Sequence, residues 1–132
     1  MKTCFVNGCF DVLHVGHIRL FKYAKEQANY LIVAIDTDEK IKKSKGNSRP
    51  FNTESDRKEM LGSIKFIDEV LSFDSNQSLE ILIEKIKPDV MIIGSDWEGK
   101  EIVGFQHAKE LKYFRRIDGY STTKILESAF DR

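Results

Sequence analysis

The stretch Asn7-Gly8-Cys9-Phe10-Asp11-Val12-Leu13-His14-Val15-Gly16-His17 follows a short apolar run, Thr3 to Val6, and precedes a longer run with helical spacing. The short run is typical of a strand, and the longer one places Phe21, Ala24 and Ala28 on one face of a helix. A strand that leads through a glycine-containing loop into a helix is the first half of a strand–helix–strand unit. The stretch therefore predicts an α/β fold with a ligand-facing loop directly after the first strand.

The rest of the chain repeats this alternation of short strand-like runs and longer helix-like runs. Apolar residues from Leu79 to Ile86 recur at helical spacing, and Pro88 ends that predicted helix. Further helix starts are predicted at Thr53 and at Ser121, where a hydroxyl residue can act as the cap. Because strands that alternate with helices pair in parallel, we predict a Rossmann-like, doubly wound, parallel five-stranded α/β sheet in a single domain. The strands are predicted at Thr3–Val6, Tyr30–Ile35, Glu69–Phe73, Asp89–Ile93 and Tyr113–Ile117.

Two other segments are predicted between these strands. Phe105, Ala108 and Leu111 stand at helical spacing, so we expect them to form the core face of a helix that carries His107 as a surface or core histidine. Ser44 to Asn52 is expected to be a long irregular segment.

Composition indicates one globular unit without a covalent framework. The chain has 132 residues, and about 100–200 residues is usual for one domain. Its 21 basic and 21 acidic side chains give a net charge of zero, so it lacks the basic excess of nucleic-acid-binding proteins. No stretch reaches the roughly 18 apolar residues of a membrane span, and Cys4 and Cys9 are expected to be free thiols. We therefore expect a cytoplasmic protein with one domain over residues 1–132, no nucleic-acid partner and no membrane insertion.

The loop after the first predicted strand is a candidate anion site, because a helix begins at its end. Backbone amides and the partial positive charge of a helix N-terminus favour an anionic ligand. His14 and His17 would add hydrogen-bond donors there, and Gly16 would let the backbone approach a phosphate closely. Two histidines at a helix start are more often caps or a half-buried pair, and the residues alone leave both roles open.

Other positive groups lie on segments that could face the same cleft. Lys45 and Arg49 stand on the irregular segment, Arg57 stands on the helix after it, and Arg115 and Arg116 precede the helix start at Ser121. Cations around two helix starts predict a polyphosphate site. Neither a phosphate-binding P-loop nor a Gly-x-Gly-x-x-Gly dinucleotide motif follows a strand, which disfavours those two classes.

The pattern Gly8-x-Phe10-Asp11-x-x-His14-x-Gly16-His17, with Ser121-Thr122-Thr123-Lys124, resembles the cytidylyltransferase family of the HxGH nucleotidyltransferase superfamily. Gly94-Ser95-Asp96-Trp97-Glu98-Gly99-Lys100 and Arg116-Ile117-Asp118-Gly119-Tyr120 are similar to the glycerol-3-phosphate cytidylyltransferases of that family. The resemblance implies transfer of CMP from CTP to a small phosphorylated alcohol, with glycerol 3-phosphate expected, release of pyrophosphate, a requirement for Mg²⁺, and a homodimer.

Two alternatives stay beside this expectation. Lys45-Gly46-Asn47-Ser48-Arg49-Pro50-Phe51-Asn52 resembles the corresponding loop of heptose-phosphate adenylyltransferases, which implies transfer from ATP to a sugar phosphate such as heptose 1-phosphate. The same fold can also bind a nucleotide without performing transfer, so a non-catalytic binding module is the other alternative.

The resemblance also implies roles for individual residues. Catalysis is expected of His14, His17, Lys45 and Thr122, and acceptor binding of Asp38, Arg57 and Trp97. Nucleotide binding is expected of Gly8, Cys9, Phe10, Asp11, Gly16, Asp96, Arg116, Gly119, Tyr120, Ser121 and Thr123.

Three of these residues have a second expected role. Asp11 is expected either to be linked to magnesium or to order its loop, as aspartates in turns do. Asp38 could instead cap a helix, and Trp97 could instead cover the edge of the sheet.

The choice of base is predicted from Arg116. A guanidinium can donate to the O2 carbonyl of cytosine, whereas adenine has no carbonyl and would leave a buried donor without a partner. We therefore expect CTP to be preferred to ATP.

Overall fold

The computed structural model describes residues 1–115 and, at Asp96, the backbone alone. Five parallel strands form one sheet, as the sequence predicts, and their order is β3-β2-β1-β4-β5. The order reverses beside β1, whose two neighbours are β2 and β4, so a cleft opens at the carboxyl end of β1. The strands are β1 (Thr3–Gly8), β2 (Tyr30–Asp36), β3 (Glu69–Phe73), β4 (Val90–Gly94) and β5 (Glu110–Phe114).

Each of the four described α-helices begins at a polar cap. The side chains of His14, Thr37, Thr53 and Ser75 each accept a hydrogen bond from a backbone amide in the first turn. The predicted start at Thr53 is confirmed, and the helix before Pro88 ends as predicted. The helices are α1 (Val15–Glu26), α2 (Asp38–Lys45), α3 (Glu54–Gly62) and α4 (Asn76–Ile86).

Apolar side chains bury both faces of the sheet, which is why its strands read as nearly continuous hydrophobic runs. On one face, Val6, Val33 and Ile92 pack with Phe21 of α1 and Leu61 of α3. On the other face the core consists mainly of strand residues and two residues of α4, namely Phe5, Ile32, Ala34, Phe73, Met91, Leu79 and Ile83, together with Ile102. Because both faces of the sheet are covered, the sheet is doubly wound. The loops lie at the carboxyl ends of its strands.

The structure corrects the prediction for residues 105–115. Phe105–His107 forms a single 3₁₀ turn, and β5 begins at Glu110 rather than at Tyr113, so Leu111 belongs to a strand. Gly104, with a φ of 80°, precedes the turn, and pairing of Glu110 with Val90 begins the strand. The spacing of Phe105, Ala108 and Leu111 matched a helix because apolar residues of a turn and a strand can fall at that interval by coincidence.

The irregular segment is shorter than predicted. Ser44 and Lys45 are the last residues of α2, which leaves the connection from Gly46 to Thr53. No helix within residues 1–115 is long and apolar enough to cross a bilayer.

Candidate active site

A cavity of about 1070 Å³ lies at the carboxyl ends of β1, β2 and β4. It is lined by the loop between β1 and α1, by the end of β2 and α2, by the start of α4, and by residues 101–106. Its volume lies just above the usual range for small-molecule sites, about 300–1,000 Å³, so it can hold a small-molecule ligand.

His14 and His17 stand where α1 begins, and both are caps. The Nδ1 atom of His14 accepts a hydrogen bond from the Gly16 amide at 3.1 Å, and the Nδ1 atom of His17 accepts one from the His14 amide at 3.1 Å. Their rings stack with centroids 3.8 Å apart, and both residues line the cavity. Because Nδ1 accepts a hydrogen bond in each ring, the hydrogen of the neutral imidazole is on Nε2. Nε2–H is therefore a donor in both histidines.

Phe10 fixes the position of the histidine pair. Its ring meets the His17 ring edge-on, with centroids 5.3 Å apart, and packs in the same way on Phe21. Phe10 has a φ of 48°, and a Cβ atom on Gly8 would lie 3.0 Å from its ring. A side chain at position 8 would therefore require the Phe10 ring to shift by a few tenths of an ångström, a steric constraint that does not depend on a nucleotide.

Two roles were expected for Asp11, and its contacts are those of a residue that orders a loop. Its carboxylate is fully buried and accepts hydrogen bonds from the amides of Phe51 and Asn52, each at 2.8 Å, and from Nε of Arg49 at 3.1 Å. A magnesium ion would have to displace these donors, so the buried carboxylate does not fit a metal ligand. Within residues 1–115, no group of three or more acidic, histidine or cysteine side chains could hold a metal ion.

Arg57 and Asp38 form a buried connection between loops. The fully buried guanidinium of Arg57 donates to the carbonyls of Asn52, Cys9 and Asp36 and to the Asp38 carboxylate, at 2.7–3.1 Å. Asp38 also accepts from the Glu54 amide at 2.8 Å. These contacts occupy the buried guanidinium and favour a supporting role for Arg57, and the expected acceptor contact stays a prediction. Neither residue lines the cavity. The N-cap of α2 is Thr37, whereas Asp38 accepts from the first amide of α3, as its alternative role at a helix start predicted.

Several other predicted residues do line the cavity. Lys45 lies exposed at the end of α2, and Gly16 lies in the first turn of α1. Burial raises the pKa of the Cys9 thiol, although the nearby Lys45 charge partly opposes the shift. Trp97 is 48% exposed at the cavity, and Nζ of Lys100 lies 5.7 Å from the centre of its ring.

Other predicted site residues lie outside the described part of the chain. These are Arg116, Gly119, Tyr120, Ser121, Thr122 and Thr123, together with the predicted helix start at Ser121. Asp96 lies in the 3₁₀ turn Ser95–Trp97 after β4. The expectations for these residues stay predictions.

The cavity contains polar residues that the sequence analysis did not single out. Asp36 and Lys40 line it from the end of β2 and from α2, and Asn76 and Gln77 line it from the start of α4. The signal for Asp36 was its position at the carboxyl end of a buried strand, close to the loops from which the other site residues were predicted. Lys40 has no such signal, because its position depends on the path of α2 across the cavity.

Comparison with known proteins gives one family and one fold. Residues 5–128 match the family described as "Cytidylyltransferase-like". The chain is 43% identical over 122 residues to "Bifunctional protein HldE" of Campylobacter fetus subsp. fetus, and 44% identical over 127 residues to that of Helicobacter hepaticus. These alignments cover 92% and 96% of this chain but 26% of each relative, so the chain spans about a quarter of the length of these curated relatives.

Solved structures agree on the fold. A lipopolysaccharide core biosynthesis protein from Thermoplasma volcanium superposes with a TM-score of 0.74 over 89% of this chain and 99% of its own, at 22% identity. A pantothenate synthetase from Thermus thermophilus superposes with a TM-score of 0.62 over 89% of this chain and 56% of its own, at 14% identity. At these identities the likeness concerns the fold alone.

Proposed function

The chain belongs to the cytidylyltransferase-like family, and on that premise we propose that its cavity transfers a nucleotidyl group from a nucleoside triphosphate to a phosphorylated acceptor, with release of pyrophosphate. The observation that carries this proposal is the histidine pair at the start of α1. Both Nδ1 atoms accept hydrogen bonds from backbone amides. Two Nε2–H donors beside a helix N-terminus suit the phosphates of a nucleotide.

The reaction needs no general base. A phosphate monoester has a second pKa of about 6, so at neutral pH its oxygen is already an anionic nucleophile. That oxygen attacks the α-phosphorus of the triphosphate, a new P–O bond forms, and the bond to the pyrophosphate leaving group breaks. The protein therefore contributes position and charge stabilisation, as in phosphoryl transfer generally.

Residues of the chain divide this work. The Nε2–H groups of His14 and His17 donate to the α-phosphoryl group as its negative charge grows, and Lys45 offsets phosphate charge from the end of α2. Asp11 and Arg57 hold the surrounding loops in place through buried hydrogen bonds. Mg²⁺, if required, supplies charge neutralisation as part of the metal–nucleotide complex, since Asp11 does not fit as its ligand.

We further propose that the nucleotide is ATP and that the acceptor is a sugar phosphate such as heptose 1-phosphate. The relatives at 43–44% identity, named bifunctional protein HldE, favour this alternative over CTP and glycerol 3-phosphate. The loop from Lys45 to Asn52 also resembled the adenylyl enzymes in the sequence. The contrary expectation of CTP was based on Arg116, which lies outside the described residues.

A matrix of substrates tests the proposal. Purified protein is mixed with Mg²⁺, with ATP or CTP, and with heptose 1-phosphate, mannose 1-phosphate or glycerol 3-phosphate, and pyrophosphate is measured. Release with ATP and a sugar 1-phosphate is expected. Faster release with CTP and glycerol 3-phosphate would restore the cytidylyl expectation, and nucleotide binding without release from any acceptor would favour the non-catalytic module.

Two substitutions of one histidine separate its cap from its donor. Asparagine at position 17 can place an acceptor near the Nδ1 position but has no donor at Nε2, whereas glutamine can place a donor there. We expect His17→Asn to fold and to lower kcat by an amount equivalent to about 2–4 kcal/mol, with little change in ATP affinity. His17→Gln should recover part of that loss. Equal turnover of wild type and His17→Asn would show that His17 acts only as a helix cap.

A further inference from the structure

The cavity has a second polar group at the end of β2, separate from the histidine pair. Lys40 Nζ donates to Asp36 Oδ2 at 2.8 Å, and the two side chains are 23% and 16% exposed. Both residues line the cavity. The pair is largely withdrawn from bulk water yet open to a ligand, and such a position strengthens hydrogen bonds with a ligand.

Neighbouring elements hold the pair firmly. Asp36 is the register partner of Phe73 at the end of β3, and Lys40 Nζ lies 5.4 Å from the centre of the Phe73 ring. The next helix, α4, begins with Asn76 and Gln77, whose side-chain amides carry both donors and acceptors and which line the same cavity. Asp36, Lys40, Asn76 and Gln77 are called the β2–β3 subsite below.

The charges around this subsite disfavour a phosphate there. Asp36 is a carboxylate, Glu80 lines the cavity one helical turn beyond Asn76 on α4, and Lys40, the ammonium of the subsite, is already paired with Asp36. A phosphate would be repelled by the carboxylates. A hydroxyl group both donates and accepts, so it can donate to a carboxylate and accept from an ammonium or an amide at the same time.

We propose that the β2–β3 subsite binds the hydroxyl groups of a polyhydroxylated acceptor, with Asp36 and Lys40 as its specificity-determining residues. This inference rests on the proposed function and deepens it, because it assigns the body of a sugar phosphate to β2 and β3 and its phosphate to the histidine pair. A sugar 1-phosphate presents several hydroxyls to the subsite, whereas glycerol 3-phosphate presents only two. The subsite therefore favours the sugar.

The test measures binding and turnover in the same set of proteins. Asp36→Asn and Lys40→Met keep the shape of each side chain but remove its charge, while the backbone carbonyl of Asp36 still accepts from Arg57. Lys58→Met is the matched control, because Lys58 pairs with Glu54 at the same i,i+4 spacing on α3, at 3.5 Å and more exposed, and does not line the cavity. Calorimetry gives the Kd of heptose 1-phosphate and of ATP for each protein, and the pyrophosphate assay gives the KM of each substrate.

We expect each cavity variant to weaken heptose 1-phosphate binding roughly tenfold or more, as for a lost hydrogen bond to a charged group. The affinity for ATP should stay unchanged, and the affinity for glycerol 3-phosphate should fall less than the affinity for the sugar phosphate. An unchanged Kd for heptose 1-phosphate, an equal loss of ATP affinity, or no binding of the sugar by wild type would overturn the inference. The proposed function fails separately, if wild type binds the sugar phosphate but releases no pyrophosphate with it.

Discussion

Replacing Arg57 tests whether its guanidinium holds the loops around the cavity in place or contacts the acceptor. It donates four hydrogen bonds from a fully buried position, three to backbone carbonyls and one to Asp38. Arg57→Met would leave the carbonyls of Cys9, Asp36 and Asn52 without these donors. At about 1–3 kcal/mol for each unsatisfied buried group, the sum is roughly 3–9 kcal/mol.

The lower part of that range is the expected loss. Asp38 is 34% exposed, so its carboxylate regains water and adds little, and the half-buried loops can relax toward solvent. We therefore expect Arg57→Met to lower the free energy of unfolding by about 3–5 kcal/mol, as for other buried charge networks that lose one partner. Arg57→Lys should lose about 1–3 kcal/mol, because one ammonium cannot reach all the acceptors that the planar fork reaches.

Urea unfolding followed by circular dichroism measures these losses. Arg19→Met is the matched control, because Arg19 is exposed on α1 and a surface change there should stay within about 0.5 kcal/mol. Should Arg57→Lys unfold like wild type while the KM for the acceptor rises sharply, the guanidinium would contact the acceptor after all. The supporting role would then be wrong.

Three other outcomes follow from the structure. Gly104→Ala should lower the free energy of unfolding by about 2–4 kcal/mol in the same urea assay, because φ is 80° and the new Cβ would lie 2.5 Å from Ile83 Cδ1; an unchanged midpoint would contradict this packing. Because burial raises the pKa of Cys9, iodoacetamide should alkylate it slowly at pH 7 and faster at higher pH, and saturating ATP should protect it if the nucleotide lies in the cavity. Burial raises the pKa of Asp68, but the hydrogen bonds from Lys25 and from the Leu31 amide, together with the Lys25 charge, outweigh burial and lower it overall. Stability should therefore fall as the pH drops below about 4, and Asp68→Asn should flatten that fall in the urea assay.

The sequence predicted the sheet because each of its strands is a short buried run and each crossover contains a run at helical spacing. Those signals are local, and the first four strands were placed within two residues of their observed ends. The fifth strand was displaced because Gly104 and the turn at Phe105–His107 interrupt a segment whose apolar spacing resembled a helix. Pairing with β4, a long-range contact, decides where that strand begins.

The loops that line the cavity were also predictable, because parallel strands all end at the same edge of the sheet. The hydrogen-bond partners of the charged residues were not predictable from the sequence. Asp11 binds Arg49 across 38 positions of sequence, and Arg57 binds the Cys9 carbonyl across 48. Nothing local distinguishes a buried arginine that joins loops from an exposed one that binds phosphate, so Arg57 was assigned to the ligand.

The histidine pair shows why cap and phosphate donor need not be competing roles. A cap requires an acceptor, and Nδ1 of each ring supplies it to a backbone amide of the first turn. That bond excludes a hydrogen from Nδ1 and so assigns it to Nε2, while ring stacking and the edge of Phe10 restrict rotation. Lysine could bring more charge to the same place but could not accept the amide, and its flexible stem would not aim the donor. The cap is therefore what orients the donor, and a phosphate site at this helix start depends on both nitrogens of each imidazole.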